Sequence, residues 1–382
     1  MKSRGVLTDR YTFFMSWACP QEPSTLLFMR RQPCRRHIPS EWCHPAICKR
    51  RGKWIIPSEA VLQENRGMSD ITNAEVKRIA GGVALVLALF GMAVYLPIIG
   101  FFFALFIPLP IWFYHQKLGP RRGLTVTAIA AVVMYIIIGR PGVDLIFFSE
   151  LLFIGILLSR FSEKKMPVEI MVGMTCLLVL ASGTAGLIFY SFTLGRGIGS
   201  IVSAYVTQNL ELTMALYKSA GMSEDTIRML TESLDQIHYI LVRITPALVS
   251  ATTLLVIWAN LIAARPLFLF GHLPFPATGP LNQWRAPELL IWLLIACGGM
   301  LLIPSGTLHM IGLNGLIVLV TIYFFQGIAI VSFYFNKKNF SKAAKILFYG
   351  LIVVQQLLLF VVIGLGLFDV WLDFRRLDKK TE

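Results

Sequence analysis

Charge is what this sequence has least of. Only 15% of its 382 residues are Asp, Glu, Lys or Arg, and 56% are hydrophobic. A soluble domain carries about 25% charged and about 45–50% apolar residues. With a mean hydropathy of +0.68 over the whole chain, the composition excludes an ordinary soluble domain, a disordered chain, a collagen and a coiled coil. Cysteine is also scarce, at six residues, which excludes a disulfide-stapled mini-protein. No Gly-rich phosphate loop with a following Lys-Ser/Thr is present, so any ATPase activity must come from another chain. No paired His/Glu motif suggests an intramembrane metalloenzyme, and Ser, His and acidic residues are too scattered for a catalytic triad. What remains is a polytopic membrane protein, all-α, with no enzyme activity, metal or cofactor expected.

The basic excess is uneven. Residues 1–67 hold 12 basic and 5 acidic residues, whereas residues 68–382 hold 23 and 16. Each part nets +7, so the shorter one is far more basic per residue. In a membrane protein such an excess records which side the loops face and is weak grounds for nucleic acid. The first stretch also holds Cys19, Cys34, Cys43 and Cys48. Cys176 and Cys297 lie in apolar runs and read as small buried hydrophobes.

Residues 1–67 lack the apolar core and small-residue cleavage site of a targeting signal. Trp, Cys, Pro and Arg are scattered through them without helix or strand period. Cys34, His37, Cys43 and Cys48 offer four zinc-type ligands, but at no common finger spacing. At Met68 the character changes, and Met68-Ser69-Asp70-Ile71 reads like a bacterial N-terminus entering a helix. Gln63-Glu64 can be encoded CAG-GAG, which contains a ribosome-binding AGGAG. Met68 is therefore the expected start, with 1–67 an extension that is translated leader or disordered.

A bilayer core of about 30 Å needs about 20 apolar residues per helix. Nine spans are expected, near 79–95, 97–114, 123–139, 143–160, 168–192, 240–263, 288–304, 311–335 and 345–368. Pro97 divides the first pair, and Pro108 with Pro110 makes the second span irregular. The loops 115–122, 161–167, 264–287 and 336–344 carry Lys117, Arg121, Arg122, Lys164, Lys165, Arg265, Arg285, Lys337, Lys338 and Lys342. They fall on one side, which is then cytoplasmic, as is the N-terminus. Nine spans put the C-terminus outside, in conflict with its Arg375, Arg376, Lys379 and Lys380. Between the fifth and sixth spans, 200–238 reads as one or two amphipathic helices on the outer face. Ser223 is their clearest N-cap, and Ile227, Leu230, Leu234 and Ile237 recur at helical spacing.

Few polar residues sit at membrane depth. Glu150, mid-span, is costly there unless neutralised or paired, which makes it the first candidate substrate-binding residue. Gln326, Gln355 and Gln356 are the others. If the protein binds a solute, Glu150 and at least one of these glutamines are expected to share a polar cavity. The plainer reading is helix-to-helix hydrogen bonding. Asn260 and Asn314 are placed near span ends, where polar groups cost little. Gly195, Gly197 and Gly199 read as packing or turn residues. Ala80, Ala84 and Ala88 repeat every four residues, a face that lets another helix approach closely. It serves either internal packing or docking of a partner.

The C-terminal run Gly364-Leu365-Gly366-Leu367-Phe368-Asp369-Val370-Trp371-Leu372-Asp373-Phe374-Arg375 resembles the signature of the YybS-like family of bacterial membrane proteins of unknown function. Ile71 to Gly123, with Pro97 and the Pro108-x-Pro110 pair, resembles that family's opening spans. More remotely, the family is similar to the substrate-binding S subunits of energy-coupling-factor transporters. The resemblance implies docking of a membrane or ATPase partner subunit through the Ala80, Ala84, Ala88 face. Six spans are typical of S subunits, so the later spans and the outer helices are extra. Together these readings favour a multi-pass protein of the bacterial cytoplasmic membrane that binds a solute from the outer side. The alternative is a membrane scaffold or regulator without a substrate.

Overall fold

The computed structural model describes residues 49–50, 53–54, 58–96, 99–139, 141–273, 275 and 280–375. The four N-terminal cysteines, His37 and Pro97 lie outside them. The chain divides into Met1–Asp70 and Ile71–Glu382. In the first unit, β1 (Lys49–Arg50) and β2 (Lys53–Trp54) pair antiparallel, Lys49 opposite Trp54. The second unit is helical throughout its described residues.

Its helices follow from apolar runs cut by Gly and Pro. α1 (Ser58–Tyr95) begins in the first unit. α2 (Gly100–Leu105) and α3 (Pro108–Leu118) replace the single span expected over 97–114. Pro108 and Pro110 do not disturb a helix. They open one, where the missing N–H costs nothing. α3 stops at Gly119, whose φ of 84° suits glycine, and α4 (Pro120–Ile138) starts at once with Pro120. α5 (Val143–Glu163) and α6 (Val168–Leu194) follow, α6 ending in left-handed Gly195. α7 (Ile198–Ser219) and α8 (Glu224–Glu232) are the amphipathic pair. Ser223 caps α8 by accepting the Thr226 N–H, as its sequence pattern predicts. α9 (Leu234–Phe270) runs from that surface through the bundle. α10 (Leu289–Met300), α11 (Gly306–Lys337), α12 (Lys342–Val354) and α13 (Gln356–Leu372) complete the chain.

Six of these helices are long and apolar enough to cross a membrane: Glu75–Tyr95 of α1, then α4, α5, α6, α9 and α11. A seventh is counted only if α12 and α13, bent by 101° at their junction, form one span. By length and composition the expected nine is therefore not confirmed. Residues 97–114 are two short helices, 288–304 contains only a 12-residue helix, and 345–368 is broken at Gln355.

Contacts place the connections at two ends. At one end Glu75 pairs with Arg122 at 2.6 Å, and Gln116 donates to the Ser159 carbonyl and the Ser162 hydroxyl. Phe268 of α9 packs on Trp112 and Phe113 there. At the other end Tyr205 of α7 donates to Asp144 at the start of α5. The four basic connections share the first end, as their charge predicts. Phe374 and Arg375, the last described residues, are at that end too, because Arg375 donates to the carbonyls of Asn282 and Trp284, and Tyr334 to that of Phe374. α12 and α13 therefore enter and return, and Arg375 lies at the end of the basic loops rather than opposite them. This correction removes the conflict that nine spans created.

The core gathers around the broken α3, whose Ile111 and Trp112 are fully buried among α4, α5 and α9. A non-helical break at membrane depth is tolerated only where protein surrounds it and satisfies its backbone. Asn260 supplies that satisfaction. It is fully buried, and its amide donates to the Leu105 carbonyl at the end of α2, at 2.8 Å. It is not the inexpensive span-end residue its position suggests. Asn314 of α11 accepts the Ala247 N–H and donates to the Arg243 carbonyl, bridging α9 beside Pro246. Cys176 and Cys297 are free thiols, half-buried where full burial was expected.

Candidate functional site

Between α5, α6, α7 and α9 lies a chamber of about 650 Å³, within the range of small-molecule sites. Its wall is mainly apolar, with Ile146, Phe147, Leu187 and Val249 among its residues, and Glu150 enters it from α5. Both carboxylate oxygens of Glu150 lie 3.0 Å from the Ser182 hydroxyl on α6. Gly183, the next residue, keeps the space in front of the carboxylate open, since a Cβ there would stand 3.6 Å from it. Pro246 and Thr245 of α9 close the far wall.

Above the chamber is a second cavity of about 320 Å³, with Asp144, Tyr190, Arg196, Gln208 and Asn209 in its wall. Val143 and Tyr205 line both cavities. The Tyr205 hydroxyl donates to Asp144 at 3.2 Å. Burial, and then the nearby Asp144 charge, push the Tyr205 phenol above its ordinary pKa and keep it a donor. Asp144 sits in the first turn of α5, where a helix N-terminus favours an anion. The glycine run contributes the turn between α6 and α7: Gly195 is left-handed, Gly197 precedes α7, and Gly199 lines the chamber.

The other candidates are elsewhere, so the expected sharing of one cavity by Glu150 and a glutamine does not occur. Gln326 is buried in α11, accepting the Ala286 N–H at 3.2 Å and donating to Asp369 at 3.2 Å. Asp369 also accepts from Arg375 at 2.7 Å and from the Phe374 N–H at 3.0 Å, and both members of the ion pair have side chains wholly shielded. Beside them Arg285 pairs with Asp373. These contacts form a buried lock between residues 369–375 and the 280–286 segment, and neither Gln326 nor Asp369 lines the chamber. Gln355 and Gln356 stand exposed at the break between α12 and α13. Ala80, Ala84 and Ala88 face outward from α1, while Gly82, Val86 and Phe90 face the bundle. Among the described residues, internal packing therefore does not explain the alanine spacing.

Sequence reasoning missed Tyr205 and Asp144, which lie 61 residues apart and meet only through the α6–α7 turn. It also missed the partners of Arg375, whose burial no local pattern signals.

The lock is built from the C-terminal signature residues. A family of predicted membrane proteins, DUF2232, matches residues 84–370. The chain belongs to this family. It is also 24% identical over 302 residues to the uncharacterized protein YybS of Bacillus subtilis (strain 168), an alignment covering 76% of this chain and 96% of that one. No solved structure matches.

Proposed function

We propose that this multi-pass membrane protein is a non-enzymatic, transporter-like solute-binding subunit. The solute reaches the chamber from the α7–α8 side, through the cavity lined by Asp144 and Arg196. The observation that carries this reading is Glu150, the one acidic side chain in a mainly apolar chamber wall that is roofed by Tyr205. Hydrocarbon cannot satisfy a carboxylate, whereas a wet pocket or a ligand can. In a bacterium the basic end would face the cytoplasm, making the α7–α8 side external. The outward Ala80, Ala84, Ala88 face supports docking of a membrane partner subunit, which in turn would bring any ATPase.

Cysteine labelling in whole cells tests the route. In a background with the native cysteines replaced by alanine, Thr184→Cys and Ser250→Cys should react with a small charged methanethiosulfonate reagent from the same side as Ser223→Cys. Silence at both chamber positions, with Ser223→Cys reactive, would remove the route. For Glu150→Gln the solute-binding reading forecasts intact folded yield with lost solute binding, whereas a scaffold without a solute forecasts lower folded yield.

A further inference from the structure

A solute held beside Glu150 must complement the hydrogen-bonding sense of the wall. A hydroxyl has one proton to donate, and almost every hydroxyl here has already given its proton to the protein. Thr184 donates to the Leu180 carbonyl at 2.7 Å, and Thr245, Ser250 and Thr253 donate to the carbonyls of Leu241, Pro246 and Val249 at 2.8 Å. Tyr205 donates to Asp144, and Ser182 to Glu150 or the Val179 carbonyl. Pro246 has no N–H to offer the Val242 carbonyl, and both residues line the chamber. No Lys, Arg or His is in the wall. Among the described residues, only the hydroxyl of Thr252 in the lining has no hydrogen bond within the protein. The side chains thus present lone pairs and a carboxylate, with hardly a donor among them. The opposing feature is the start of α7, where Ile198 and Gly199 reach the wall and the first amides of a helix lack intrahelical partners.

We propose, on the reading of the chamber as a solute site, that its ligand is a lipophilic amine. The ammonium donates its N–H protons to Glu150 and the surrounding oxygens, and the apolar body rests against Ile146, Phe147, Leu187 and Val249. An anion would meet the carboxylate and the spent hydroxyls, and a cation without N–H groups would leave the acceptors unpaired.

Binding of radiolabelled 1-aminoadamantane to the purified full-length chain in detergent tests this. The N,N,N-trimethyl analogue and adamantane-1-carboxylate serve as competitors of the same shape. The amine should bind, the trimethyl analogue should compete at least about tenfold more weakly, and Glu150→Gln should weaken the amine by a similar factor, the scale of a lost charge-assisted hydrogen bond. The carboxylate should not compete. Gly183→Leu, which fills the space before Glu150, should abolish binding, and Thr184→Phe replaces it should that variant not fold. Equal competition by the trimethyl analogue, or an unchanged affinity in Glu150→Gln, overturns the proposal while leaving the chamber a solute site. Competition by the carboxylate as strong as by the amine does the same, and makes the α7 amides the anchor. Failure of all three compounds to bind, or binding that both filling variants leave intact, overturns the chamber reading itself.

Discussion

Asp369 and Arg375 show how far a residue's role can lie from its place in the sequence. Six residues apart near the end of the chain, they look like compensating surface charges, yet their side chains are wholly shielded and bonded to each other at 2.7 Å. A buried pair is weak grounds for net stability, but removing one partner leaves an uncompensated charge inside, which costs about 3–5 kcal/mol. Asp369→Ala and Arg375→Ala should each lower the melting temperature of the purified protein sharply, and the double variant should fall well short of the sum because the same pair is lost only once. Full additivity would mean that the two groups do not act together. Gln326 belongs to the same cluster. Its position mid-span signalled that it needs a partner, but Ala286 and Asp369 could not be named from the sequence, since they lie 40 and 43 residues away.

At the scale of elements, the signature's two glycines separate. Gly366 of α13 presses on the Tyr323 carbonyl and Gly327 of α11 on the Val362 carbonyl, each closer than any Cβ contact can be. Gly364, two residues earlier, has nothing within 4 Å of its Cβ position. Gly366→Ala and Gly327→Ala must push the helices apart and should cost about 1–3 kcal/mol or more, as overpacking does. Gly364→Ala should be neutral, or stabilising by up to about 1 kcal/mol through helix propensity alone. Thermal unfolding of the three variants in detergent decides this, and equal losses at positions 364 and 366 would mean that the close helix crossing is absent. Helix existence was readable from apolar runs, and the start of α8 from Ser223, whereas the starts of α3 at Pro108 and α4 at Pro120 were not expected. The split into α2 and α3 was not readable, because the neighbour that makes it tolerable, Asn260, comes 155 residues after the carbonyl it satisfies.

For the whole molecule the prediction is one of sidedness. A C-terminal tag, Ser162→Cys and Ser341→Cys should all label from one side of sealed cells or vesicles, and Ser223→Cys from the other. A tag on the Ser223 side would make α12 and α13 a full crossing and would contradict the hydrogen bonds of Arg375 to Asn282 and Trp284. The basic connections made their common end legible in the sequence, since loop charge reports sidedness directly. The return of the last helix pair was not legible, because a hydropathy window measures apolar length and is blind to a 101° bend.

Composition alone determined that this chain lives in a bilayer as a helical bundle, because so apolar a chain has no soluble fold and a spanning backbone must satisfy itself. It also singled out Glu150, since an acid at membrane depth demands an explanation wherever its neighbours are. Only the tertiary structure decided what each polar residue does. Glu150 borders a chamber in which Gly183 leaves space before it, while Gln326, also polar and mid-helix, is held by Ala286 and Asp369 in a lock with residues 369–375. The difference lies in partners brought together across tens to hundreds of residues, and hydrogen bonding acts over about 3 Å of space whatever the separation along the chain.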